Sequence, residues 1–352
     1  MTSKRRSEIS LLNVLFCFLV IFIHIISYAV SAFPIGTIQY TAVMIPWRLS
    51  SFVVQGFILL SGVKLFLTGK DSVSFGKYIK ARLKGVILPY VLCYIVYYAF
   101  YVVVYNYPIF DIGFIFKHFV FGSLVCHFYF IPLLFQFDIL FPIWKRIVNK
   151  YSGIIVIPAA LVLTTLFETY FPTMLNIAFP NLNFAYNDRI FTTYLAFWLI
   201  GCYIGKNYDY FISCFKKNLA AISTIFGFAL VLCVYFSYMS FNGLAYVPFM
   251  NLLHFIYVIS TIVFLYAVAI KLPEGIFEKI PFIKNIDKAS YHIYLWHMIV
   301  LYLTNAIIDK FAITAQGIAF VIRAVITYTV TISLCVLYGK IKEKIKVKFS
   351  KR

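Results

Sequence analysis

Imidazole is the side chain best suited to accept a proton near neutral pH, and His24 and His297 each sit in an apolar stretch that carries other polar residues at helical spacing. At 100° per residue, Asn13, Cys17, His24, Ser27 and Tyr28 fall within one stripe about 100° wide, while Leu, Phe, Ile and Val fill the rest of the turn. Asn13 and His24 share that face about 16 Å apart along the axis, from a rise of ~1.5 Å per residue. Ser290, Tyr294, His297, Thr304 and Asn305 form a second polar face near the C-terminus, with His292 roughly opposite. Polar groups at membrane depth are costly when unpaired and tend to line a cavity or site. His24 therefore has two readings: a neutral imidazole hydrogen-bonded to a neighbouring helix, or a general base that takes a proton from a hydroxyl.

Three further groups have chemistry of their own. Arg48 begins a second apolar helix with Gln55 two turns later on the same expected face, and its guanidinium either snorkels to the outer interface or anchors an anionic or sugar substrate. The segment 64–84 is the densest basic cluster between spans and ends in Arg82-Leu83-Lys84. Cytoplasmic positive charge alone explains it and is the stronger reading; a guanidinium can nevertheless hold phosphate bidentately, so a nucleotide-bearing donor is expected there if anywhere. A fourth helix aligns His127 with Asp138 and turns Gln136 away, and Asp138 is expected either to be paired or to handle protons.

Elements that hold these residues must cross a bilayer. The 352 residues are 63% hydrophobic, 20% aromatic and 12% charged, with a mean hydropathy of +0.91. That is far from the soluble norm of roughly 25% charged residues. With ~20 apolar residues per crossing, the chain reads as an all-α, polytopic integral membrane bundle of about ten transmembrane helices, near 9–30, 44–67, 86–106, 117–144, 153–172, 190–206, 219–240, 249–270, 290–308 and 318–339. Alternate connections then collect 26 of the 31 basic residues, Lys4, Arg5, Arg6 and Lys70 among them. This places the N- and C-termini in the cytoplasm. The exceptions are Arg48, Lys117, Arg189, Lys310 and Arg323. A net charge of +19 thus reports topology and an anionic inner leaflet, and argues against nucleic acid as a partner. The first apolar run exceeds the 7–15 residues typical of a signal peptide, so a retained helix is expected. Residues 1–340 read as one membrane-embedded domain, and 341–352 as a basic cytoplasmic tail. Seven cysteines without CxxC spacing predict neither disulfides nor structural zinc.

The chain has no GxxxxGK[ST] loop, GxSxG elbow, HExxH or GxGxxG. ATP-driven transport, serine-hydrolase chemistry and zinc proteolysis all lose support.

Four segments resemble acyltransferase family 3, the polytopic acyltransferases that modify cell-envelope glycans and lipids. LLNVLFCFLVIFIH carries the family's histidine at His24; SSFVVQGFILLSGVKLF resembles its FFxxSG helix; ARLKGVILPY its basic third-helix start; SYHIYLWHMIV its SYxIYLxH helix. CHFYFIPLLFQFDILFPIW and AFWLIGCYIGKN fit less closely. Within the family, the chain is most similar to the Gram-positive branch of intercellular-adhesion polysaccharide proteins. The resemblance implies transfer of an acyl group, acetyl first among the candidates, from cytosolic acyl-CoA to a hydroxyl of a cell-envelope glycan or lipid-linked sugar, without a metal. It implies His24 as catalytic base, and together with the polar faces it sets the expectation of Asn13, Arg48, Gln55, Tyr294 and His297 around the acceptor or oxyanion, and of Arg82 and Lys84 on the donor. Membrane lipid and a polysaccharide synthase complex are the implied partners. One departure stands out: many members carry arginine eleven residues before that histidine, where this chain has Asn13, which hydrogen-bonds but supplies no charge. Export of polysaccharide or lipid-linked sugar without acyl chemistry, and a scaffold role in a synthase complex, are the alternative readings.

Overall fold

In lipid a backbone N–H or C=O finds no water, so each spanning segment must satisfy its hydrogen bonds internally, and an apolar chain of this kind folds as helices. The computed structural model describes residues 6–69, 72–180, 184–273 and 279–350, with side chains as far as Ile345. Lys4, Arg5, Lys70, Lys351 and Arg352 of the inward basic set lie outside them. Every regular element among the described residues is helical: α1 Ser7–Ala32, α2 Ile38–Ser50, α3 Val53–Leu67, α4 Phe75–Arg82, α5 Leu88–Tyr105, α6 Ile112–Val120, α7 Phe130–Ile139, α8 Phe141–Lys150, α9 Gly153–Ala178, α10 Leu195–Lys206, α11 Tyr208–Lys217, α12 Leu219–Phe241, α13 Met250–Lys271, α14 Pro281–Lys310 and α15 Gln316–Ser350. The protein is a multi-pass membrane protein, with eight helical stretches among the described residues long and apolar enough to cross.

Those eight coincide with eight of the ten expected spans; the fourth and sixth are built differently. Residues 117–144 do not form one helix. After α6, Gly122 takes φ +57°, and a Cβ there would lie 2.6 Å from the Tyr129 backbone, so the chain turns tightly before α7. His127 falls in that turn, and its expected helical alignment with Asp138 is lost. Around 190–206 two 3₁₀ turns lead into α10, which is 12 residues long. At ~1.5 Å per residue it covers about 18 Å, short of a hydrocarbon core of ~30 Å. Its uniform apolarity reflects burial against protein instead, with Leu195, Ala196, Phe197, Trp198, Leu199, Cys202, Tyr203 and Ile204 all buried. The second expected span is interrupted as well: a turn at Ser51-Phe52 separates α2 from α3, so Arg48 and Gln55 do not share one continuous helical face.

The chain divides into two compact units, 1–53 with 212–352, and 54–211. In the first, α1 packs against α2, α13, α14 and α15, and α12 against α13 and α2. In the second, α10 lies against α3 with backbones nearly touching: a Cβ on Gly201 would come 2.1 Å from the Leu59 carbonyl oxygen, and one on Gly205 2.4 Å from that of Val63. Small residues four apart permit this approach between membrane helices. Thr164 of α9 accepts from the Ala196 N–H at 3.1 Å and donates to the Thr192 carbonyl at 3.3 Å, which satisfies an otherwise orphaned donor in the first turn of α10. Between α4 and α5 the helix widens into a π turn, Leu83–Ile87, closed by a Leu88 N–H to Leu83 C=O bond. Pro89 follows; it lacks an N–H and crowds the preceding turn, and local widening relieves that clash.

Candidate active site

The α1 and α14 polar faces meet inside the first unit. The rings of His24 and His297 lie 5.2 Å apart between centroids, tilted by 34°. His297 is fully buried, and His24 is half-buried. His297 Nδ1 stands 2.8 Å from the Tyr294 carbonyl and 3.3 Å from that of Ile293. A carbonyl only accepts, so Nδ1 carries the proton and Nε2 is the lone-pair nitrogen of the neutral ring. Tyr294, also buried, has its ring 6.2 Å from that of His297.

Nearly three turns toward the N-terminus of α1, Asn13 donates to the Asp287 carboxylate at 2.7 Å and to Ser290 Oγ at 2.9 Å. Ser290 Oγ in turn donates to the Asp287 carbonyl at 2.9 Å. Asparagine at 13 is thus built into a buried network with a carboxylate. Asp287 is not evident from the sequence because the ninth apolar run begins at 290, whereas α14 begins at Pro281. Its signal was present: residues 287, 290, 294 and 297 recur at helical spacing.

Arg48, on the last turn of α2, lays its guanidinium over the Phe241 ring at 5.6 Å. Beside it, Ser51 Oγ is 2.6 Å from both the Arg48 carbonyl and His254 Nε2, and Trp47 donates to Ser27 Oγ at 3.1 Å. His254 is a second unanticipated member, although its cue was present: Asn251, His254, Tyr257 and Thr261 recur at helical spacing along α13.

The second unit holds the donor candidates. Arg82 Nε reaches Asp138 at 2.6 Å, with the carboxylate side chain 1% and the guanidinium side chain 25% exposed. Tyr78 donates to the other carboxylate oxygen at 2.5 Å. Asp138 is therefore paired, by α4 rather than by His127, and its ionised form is stabilised by two donors. Lys84 is exposed in the π turn. Gln55 is half-buried on α3. Gln136 bridges to the 3₁₀ segment, donating to the Arg189 carbonyl at 2.8 Å and accepting from the Phe191 N–H at 3.0 Å. The sequence candidates accordingly fall into two groups: Asn13, His24, Arg48, Tyr294 and His297 in one unit, Gln55, Arg82 and Lys84 in the other. Among the described residues no three His, Cys, Asp or Glu side chains gather as metal ligands.

No curated protein and no solved structure matches the chain. A family model described as an acyltransferase domain, acyltransferase family 3, matches residues 6–340, nearly the whole length. With helices that place paired histidines and buried polar networks inside a multi-pass membrane protein, the chain belongs to the membrane-bound acyltransferases of family 3.

Proposed function

We propose that this acyltransferase moves an acyl group, acetyl first among the candidates, from cytosolic acyl-CoA to a hydroxyl of a cell-envelope glycan or lipid-linked sugar. The observation that carries the reading is the facing pair His24 and His297, each on a membrane-spanning helix and one ring fixed in its tautomer by backbone carbonyls. His24 accepts the hydroxyl proton as that oxygen attacks the thioester carbonyl. The tetrahedral intermediate then collapses, the C–S bond breaks, and the coenzyme A thiolate leaves with the proton held on His24. General-base assistance of this sort is worth roughly 10²–10⁴-fold. His297, Tyr294, Asn13, Arg48 and Gln55 orient the acceptor or stabilise the oxyanion, and Lys84 with Arg82 holds the donor's phosphates. Since Arg82 already engages Asp138 through Nε, Lys84 is the more available cation of the two. Residues 1–340 act as one catalytic domain in this scheme, beside a basic tail at the inner leaflet, and a polysaccharide synthase complex would supply the acceptor.

Transfer of radiolabel from acyl-CoA to envelope glycan in membrane vesicles tests the proposal, with native protein and His24→Ala at matched expression. Label that depends on His24 supports it. Equal labelling by both proteins overturns the assigned base, and no labelling by the native protein with any acyl-CoA overturns the donor or acceptor class.

A further inference from the structure

Arg323 lies in the second turn of α15, and its charge does not fit the topology: it is one of the five basic residues outside the inward segments. An arginine at the outer end of a spanning helix ordinarily extends its head to the interface. Arg323 is instead 8% exposed. Its Nε donates to Asn305 Oδ1 on α14 at 2.7 Å, and its guanidinium stacks over the Tyr28 ring of α1 at 4.9 Å. No carboxylate among the described residues lies within ion-pair distance of it, and Asp309, near the end of α14, acts on its charge only through space. Arg323 Nη1 and Asn305 Nδ2 are both buried donors without a hydrogen-bond partner. Natural proteins seldom leave such groups unsatisfied, since a buried donor without a partner forfeits its hydration, and a charged one more so.

The location connects this cluster to the histidine pair. Tyr28 follows His24 by one turn, and Asn305 follows His297 by about two, which places the cluster about 6–12 Å outward at ~1.5 Å per residue. From Arg323 the buried hydroxyls of Thr327 and Thr331, 0% and 1% exposed, continue one and two turns along α15, again without hydrogen-bond partners. α15 runs antiparallel to α1, with Arg323 at Tyr28 and Tyr328 donating to the Phe18 carbonyl at 2.7 Å. The hydroxyl row therefore leads into the stretch of α1 that contains His24.

We propose that Arg323, Asn305 and Tyr28 form an anion-binding subsite for the acceptor, outward of the histidine pair, which takes a phosphate or carboxylate borne by the acceptor and leaves its neutral hydroxyls pointing down the threonine row toward His24. A guanidinium donor and an amide donor left open beside one another suit the oxygens of one anionic group. The proposal rests on the acceptor side of the function above, so binding is read separately from transfer. Purified full-length protein in detergent is titrated with a short-chain prenyl phosphate, an alkyl glycoside of a neutral sugar and an alkyl glycoside of a uronic acid, and affinity is followed by thermal shift and native mass spectrometry. The native protein is expected to bind one anionic probe at least tenfold more tightly than the neutral glycoside, and the identity of that probe distinguishes phosphate from carboxylate. Arg323→Gln is expected to erase the preference and Arg323→Lys to retain part of it. Asn305→Asp keeps the acceptor for Nε but adds a carboxylate that competes for the cation; its expected loss of preference gives a second route should Arg323→Gln fold poorly. Equal affinity for all three probes in the native protein, or an undiminished preference in both Arg323→Gln and Asn305→Asp, overturns the subsite. Anion preference without acyl transfer sustains the subsite while overturning the transfer reading, and transfer without anion preference does the reverse.

Discussion

At the residue scale the two networks respond differently to substitution. His24→Ala is expected to lower acyl transfer by about 10²–10⁴-fold with little loss of folding stability, because the His297 ring retains its own anchoring at the Tyr294 carbonyl; transfer rates alongside thermal unfolding in detergent check both halves. Asn13→Ala removes two donors from a buried carboxylate network, and leaving such acceptors short costs about 1–3 kcal/mol. That loss appears as a lower unfolding temperature before any kinetic effect is read. In the other unit, Arg82→Ala strips a partner from a carboxylate that is 1% exposed. Breaking a buried pair from one side costs about 3–5 kcal/mol, lowered here by the guanidinium's partial exposure, whereas Lys84→Ala touches only an exposed side chain. Lys84→Ala is therefore expected to raise KM for acyl-CoA several-fold at unchanged stability, and an unchanged KM removes Lys84 from the donor site.

At the scale of elements, the approach of α3 and α10 depends on the absence of side chains. Gly201→Ala would put a methyl 2.1 Å from the Leu59 carbonyl oxygen, so the helices must separate and lose their contact; overpacking of this kind costs about 1–3 kcal/mol. Gly227, on α12 with nothing within 4 Å of its would-be Cβ, is the control, and Gly227→Ala is expected to be neutral or slightly stabilising. Comparable unfolding temperatures for the two variants would show that the approach is dispensable. Beside α10, α8 is amphipathic: Phe141, Trp144 and Val148 are buried, and Lys145, Arg146 and Lys150 line a shallow surface depression. Lys206 donates to the Val148 carbonyl at 2.7 Å, satisfying one of the last open carbonyls of α8.

At the scale of the whole molecule, charge predicts orientation. Eight crossings or ten are both even, so both termini are expected on one side, and the positive-inside bias predicts that this side is cytoplasmic. A reporter fused after Arg352 is expected to be active only as a cytoplasmic marker, and a cysteine at Gly36 or Asn242 to be labelled from outside by an impermeant maleimide. The reverse pattern would invert the assigned path of donor and acceptor. Most of the basic residues fit this expected orientation, whereas Arg323, buried among α1, α14 and α15, does not.

Composition and period sufficed for the class of fold and for the inward faces of α1 and α14, because in lipid the polar positions of a long helix must turn toward protein and the 3.6-residue repeat records which ones do. The family was legible from His24, the SYHIYLWH segment and the basic run before Pro89. Only the tertiary structure decided what apolarity alone leaves ambiguous. α10 is apolar all round because protein covers it, which hydropathy does not separate from lipid contact. The 117–144 run breaks at Gly122 because a left-handed backbone there closes against Tyr129. Partners on other helices, from 18 to nearly 300 residues away, were likewise unreadable: Asp138 pairs with Arg82 and Tyr78, Asn13 with Asp287, and Arg323 with Asn305 and Tyr28. A helical period fixes the direction in which a side chain points along its own axis, while the group it meets there depends on which helix packs opposite and at what register.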